Sequence, residues 1–171
     1  GRLASLLMAR GVPRDYARAE EALARVSDLA GGDPAVVSLY YGSMGHLMHL
    51  RGDREGARSW YRKQLDLIAA ESLPPDPETL VGIGDLSAPS SPRRALDYYE
   101  KALSLYRPSG GNLWCCLAAA EAATELKEHS RAASLLEEAA RLQDAPGDLS
   151  MEAASDRVLL GDSPSAQRYR S

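Results

Sequence analysis

The sequence predicts an all-α chain built from stacked pairs of antiparallel helices, and three observations predict it. Alanines at positions 19, 57, 95, 132 and 166 recur at intervals of 38, 38, 37 and 34 residues. Each is followed roughly one turn later by a bulky side chain: Leu23, Tyr61, Tyr99, Leu136 and, one residue out of register, Tyr169. A small residue precedes four of these alanines by about three turns, namely Gly45, Gly84, Ala120 and Ala154. Proline and glycine breakers separate the segments, and none alternates with period two, so no strand is expected. The pattern suits two helices that cross closely: a small residue on the first meets a small residue on the second, and a ring or leucine fills the space beside them. One pair cannot bury its apolar faces alone, whereas a stack of pairs can.

The elements follow in order. The chain opens in helical pattern, giving helices at about 2–10 and 14–30, closed by Gly31-Gly32. Asp33-Pro34 reads as a capping residue followed by proline in the first turn and starts a helix at 35–50. Gly52 ends it, and Ala57, Tyr61 and Leu65 sit on a helix at 54–71. Pro74-Pro75 breaks the chain, and Asp76-Pro77 repeats the start signal for a helix at 77–87. Ser91-Pro92 starts 92–106; Pro108 and Gly110-Gly111 end it. Helices at 112–127 and 130–142 follow, then Pro146-Gly147, then helices at 149–160 and, from Ser163-Pro164, at 163–170. Each cap is worth roughly 1 kcal/mol. The longest helix-to-helix connection is 70–76, and no interdomain linker is visible.

Composition narrows the function classes. The 171 residues are 44% hydrophobic, enough for one domain with a continuous core. The net charge of −4 and the absence of a basic stripe speak against a nucleic-acid partner. No apolar run approaches the ~20 residues that span a bilayer, so no membrane association is expected. The chain begins Gly1-Arg2-Leu3-Ala4-Ser5, without an initiator Met or a signal-peptide pattern, and reads as a piece of a longer protein. Its two cysteines, Cys115 and Cys116, are adjacent. Neighbouring helical positions point apart, so a disulfide between them would be strained, and both are expected reduced and buried. A reduced helical module without a signal is expected in the cytoplasm.

Gly45, Gly52, Ala57, Tyr61 and Leu65 resemble a tetratricopeptide repeat (TPR). The run Ala95-Leu96-Asp97-Tyr98-Tyr99-Glu100-Lys101-Ala102-Leu103 resembles the family's second helix more closely still, and Ala132, Leu136 and Ala139 match a third copy. The stretch from Gly11 to Ala19 instead resembles the related Sel1-like repeat. The resemblance covers nearly the whole chain as about four and a half helix pairs, at 1–31, 34–72, 76–108, 112–144 and an incomplete 148–171. The intervals of 37–38 exceed the family's usual length of about 34, so some helices or loops are longer. The resemblance implies a right-handed α-α superhelix, a TPR-like solenoid, whose first helices line a concave groove that takes peptides or partner helices. No activity or cofactor belongs to such a fold.

Helical spacing proposes a lining for that groove. On the first helix of the second pair, Leu39, Gly42, His46, His49 and Leu50 fall on one face, opposite Gly45. The equivalent face of the third pair carries Glu78, Val81 and Asp85; that of the fourth carries Trp114, Leu117, Glu121 and Thr124; that of the last carries Met151, Ser155 and Leu159. The expected groove is apolar, with a few acidic and imidazole groups, and suits an amphipathic helix or an extended segment. Trp114 is either the anchor of that groove or a filler in the seam between two pairs. The lining offers no Lys or Arg, which argues against capture of a C-terminal carboxylate as in the chaperone-binding members of the family.

Other motifs carry little chemistry. His46 and His49 can share a helix face, but no third or fourth metal ligand stands nearby. Gly82-Ile83-Gly84 lacks the preceding strand and third glycine of a nucleotide loop. Tyr40-Tyr41 and Tyr98-Tyr99 are expected to pack between helices. No Ser/His/Asp spacing suggests a nucleophile, so neither catalysis nor a cofactor or metal is expected. The sequence therefore points to an adaptor or scaffold that binds a protein or peptide. The alternative is a structural module that self-associates or docks on another domain of its own chain.

Overall fold

Short polar side chains set where the helices begin in the computed structural model, which describes residues 13–145. The first helix, α1, spans Pro13–Leu29. Before α2 (Pro34–Leu50), the Asp33 carboxylate accepts the Ala35 N–H at 2.9 Å. Asp53 does the same for Gly56 at 2.8 Å at the start of α3 (Arg54–Glu71). Asp76 accepts from Glu78 at 3.0 Å to begin α4 (Pro77–Ser87), and Ser91 accepts from Arg94 at 3.3 Å to begin α5 (Pro92–Tyr106). After a 3-10 turn at Arg107–Ser109, Asn112 accepts from Cys115 at 2.9 Å and opens α6 (Leu113–Glu125). The last described helix, α7 (His129–Asp144), starts without a side-chain cap bond. Each bond satisfies one of the N–H groups that a helix start leaves without a backbone partner. The described residues thus form seven α-helices and no strand. The expected helices at 2–10, 149–160 and 163–170, and the groove positions Met151, Ser155 and Leu159, lie outside the described residues.

Three helix ends share one closure. Gly52 donates to the His49 carbonyl and Asp53 to that of Met48; Gly110 donates to Arg107 and Gly111 to Tyr106; Lys127 donates to Thr124 and Glu128 to Ala123. The residue at the turn is left-handed each time, with φ of 80° at Gly52, 101° at Gly110 and 59° at Lys127. Glycine adopts that conformation freely and lysine at a cost.

The helices pack in consecutive pairs, α2 with α3, α4 with α5 and α6 with α7. Further contacts join α1 to α2 and α5 to α6, and α2 also packs directly on α4. The recurring alanines Ala19, Ala57, Ala95 and Ala132 are all buried, as are Leu23, Tyr61 and Tyr99. Leu136 departs from this rule. It is 50% exposed, and Leu135 is buried in its place. In the earlier pair the equivalent ring, Tyr61, reaches the next pair's first helix, and beyond α7 no helix is described.

The small residues lie directly against the rings. A Cβ on Gly45 would lie 2.5 Å from the Tyr61 ring, and one on Gly84 2.6 Å from the Tyr99 ring. The small residue seats the ring itself. Gly82 contacts the same Tyr61 from the next pair, with its Cβ position 2.5 Å from the hydroxyl oxygen. Tyr61 is therefore held between glycines of α2 and α4. This is the work of Gly82-Ile83-Gly84: two glycines on α4 admit two rings.

Candidate functional site

A buried polar junction marks the seam between α2 and α4. Gln64, one turn beyond Tyr61 on α3, is fully buried. Its Nε2 donates to Asp76 Oδ2 at 3.0 Å and to Ser38 Oγ at 3.4 Å, and its Oε1 accepts from Thr79 Oγ1. Thr79 also donates to Asp76 at 3.2 Å. The backbone of Gly42 lies against this amide, since a Cβ there would approach it to 2.7 Å. Gly42 thus belongs to the buried face beside Gly45 and not to a groove, in contrast to the sequence expectation.

The next seam, between α4 and α6, is open. α6 contains no glycine, and α4 and α6 make no approach comparable to that of α2 and α4. A cleft of about 510 Å³ lies between them. Val81 and Asp85 line it from α4, Pro89 and Pro92 from the corner that follows, and Trp114, Leu117 and Glu121 from α6. Tyr99 and Cys115 lie at its base, both buried. The Tyr99 hydroxyl donates to Asp85 Oδ1 at 2.5 Å, and Cys115 Sγ donates to the Tyr99 carbonyl at 3.4 Å. Burial first, then the Asp85 charge and its hydrogen bond, push the Tyr99 phenol far above its usual range, so it stays a donor.

Five of the nine residues proposed from helical spacing therefore meet in one cleft: Val81, Asp85, Trp114, Leu117 and Glu121. The other four, Leu39, His46, His49 and Leu50, lie on α2 outside it. Leu39 is 63% exposed, and His49 is half-buried where α2 nears Asp85 and Arg54. Burial lowers the His49 pKa, with Arg54 adding to the effect and Asp85 opposing it. Sequence reasoning missed Glu125, which stands one turn beyond Glu121, and the prolines of the α4–α5 corner. Spacing along α6 already carried the first signal. The second needed the fold, because nothing local says which helix a corner faces.

The cleft's charge has one sign. Asp85, Glu121 and Glu125 line it, and among the described residues no Lys, Arg or His does, so the expected imidazole groups are not part of it. The two cysteines beneath are buried thiols that form no disulfide. Burial, with Glu138 adding and Arg107 opposing, pushes the Cys116 thiol up to about 11, so at neutral pH it remains protonated and a weak nucleophile. Among the described residues no group of three or more His, Cys, Asp or Glu is arranged to hold a metal ion. No helix among them is long and apolar enough to cross a membrane.

No protein-family model matches the chain, and no curated protein is significantly similar to it.

Proposed function

We propose that the chain is a helical-repeat scaffold of the TPR type, a right-handed solenoid that holds a segment of a partner protein, and that it works by binding and not by catalysis. The observation that carries this reading is the cleft between α4 and α6, the first helices of successive pairs, where Val81, Trp114 and Leu117 present apolar surface beside carboxylates. Its size falls within the ~300–1,000 Å³ common for binding sites, and an apolar wall with a few placed polar groups is what such sites use. The regular pairing of the helices and the buried alanines at the four described recurrences support the repeat reading. Trp114 is the natural anchor, since it is only partly buried and lies in the cleft wall.

The test is selection of binding peptides from a displayed library, followed by affinity measurement on Trp114→Ala and Leu117→Ala. The chain has two tryptophans, so in a Trp60→Phe background the indole fluorescence reports on Trp114 alone. The expected result is a shift in Trp114 emission on binding and a loss of about tenfold or more in affinity for Trp114→Ala. Selected peptides that bind both variants as tightly as the parent would remove the cleft from the account.

A further inference from the structure

The cleft's surroundings indicate what kind of segment it takes, an inference that rests on the binding reading above. Three outer carboxylates around the neighbouring helices are paired. Glu128 meets Arg93 and Arg131, Glu100 meets Arg131, and Glu138 meets Arg107 at 3.0 Å. At the cleft, Glu121 and Glu125 are both exposed, and neither has an ion pair among the described residues. They stand four residues apart on one helix, a like-charge spacing that costs the helix a little and that a cation placed between or above them would relieve. Asp85 adds a third negative group on the opposite wall, fixed by the Tyr99 hydroxyl.

We propose that the occupant is a basic polypeptide segment: two Lys or Arg residues about 6 Å apart, matching the rise between Glu121 and Glu125, beside an apolar side chain that lies on Trp114 and Leu117. An anionic segment would bring its charge against three carboxylates with no lining Lys or Arg to receive it, so the cleft discriminates by repulsion as well as by attraction. The apolar walls take the stems of the basic side chains as well as the apolar residue, which keeps the charged heads at the rim where the glutamates are.

Two pools of short peptides with the same apolar residues test this, one carrying two Lys or Arg and the other two Asp or Glu at the same positions. Affinity is read by fluorescence polarisation at low and at high salt. The basic pool is expected to bind at least tenfold more tightly at low salt and to lose that advantage as salt rises. Glu121→Gln/Glu125→Gln weakens the basic pool by about tenfold, and Glu121→Lys/Glu125→Lys reverses the preference, with thermal unfolding close to the parent in both variants. Recovery of binding by the acidic pool on the reversed variant shows that this variant is folded and that the charges read the ligand. Equal binding of both pools, with Trp114→Ala weakening both, overturns the charge inference and leaves the cleft reading standing. Binding by neither pool, with Trp114 emission unmoved and no peptide recovered from an unbiased library, overturns the two together.

Discussion

Gly45→Ala sets two physical effects of opposite sign against each other. Gly45 lies within α2, where alanine is favoured over glycine by about 1 kcal/mol, so on propensity alone the substitution stabilises the protein. The structure predicts the reverse. The added Cβ would stand 2.5 Å from both Cδ1 and Cε1 of Tyr61 and 3.1 Å from Cγ, the part of the ring nearest its own backbone. The ring cannot yield. It is 2% exposed, and its far end is closed off by Gly82 of α4. Overpacking of this kind costs roughly 1–3 kcal/mol, and helix propensity offsets about 1 of it. The expected net loss is up to about 2 kcal/mol, or up to about 4–8 °C in Tm for a chain of this size. Urea unfolding followed by far-ultraviolet circular dichroism measures it, and a double-mutant cycle isolates the contact: Tyr61→Leu frees the space, so Gly45→Ala in that background should be near neutral or stabilising. A rise in Tm for Gly45→Ala in the otherwise unaltered protein would refute the ring-seating account.

Lys127→Gly places glycine at the left-handed residue that Gly52 and Gly110 already occupy in the equivalent closures, and is expected to stabilise by up to about 1 kcal/mol in thermal unfolding. Gln64→Leu keeps the approximate volume but removes the partner shared by Thr79, Asp76 and Ser38; since no buried side-chain N or O among the described residues lacks a partner, it should cost about 1–3 kcal/mol in the same urea assay. His49, whose pKa is lowered in the folded state mainly by burial, takes up a proton more readily when unfolded. Stability is therefore expected to fall as pH drops below about 6.5 and on through the lower folded value. The part due to this residue should be absent in His49→Gln, as read from Tm across that window.

Recurrence and breakers made the helices legible. Asp33, Asp76 and Ser91 each cap the helix that their following proline announces, because capping is settled by chemistry within three or four residues. The buried alanines were equally readable, since an interval of 38 residues returns the chain to the same face of the stack. Gln64 was not. It is a polar residue in a position where apolar ones are usual, and only the arrival of Ser38, Thr79 and Asp76 from two other helices explains its burial. Leu136 shows the opposite failure: the pattern assigns it to the core, yet it is half exposed and its neighbour Leu135 is buried. Leu39, His46, His49 and Leu50 shared a face by spacing as firmly as Trp114, Leu117 and Glu121 did, yet periodicity gives a direction around a helix and not the width of the gap it faces.

That width follows from a few residues. Between α2 and α4, Tyr61 and Gln64 reach across from α3, and Gly82 lets the backbone of α4 close on the ring. Filled in this way, the seam leaves Leu39 and Leu50 on an outer surface. Between α4 and α6 the corresponding ring is Tyr99, seated by Gly84 on its own side, but α6 offers alanines where a glycine would be needed to close on the other. The residue three beyond the ring is Ala102 in place of the glutamine found after Tyr61, and it is too short to reach across. With neither the close backbone approach nor the bridging amide, α4 and α6 stand apart, and Tyr99 turns its hydroxyl to Asp85 at the base of the opening. The cleft is thus the consequence of a missing glycine and a missing glutamine at one step of a repeating pattern, which is why one seam is packed shut and its neighbour stands open.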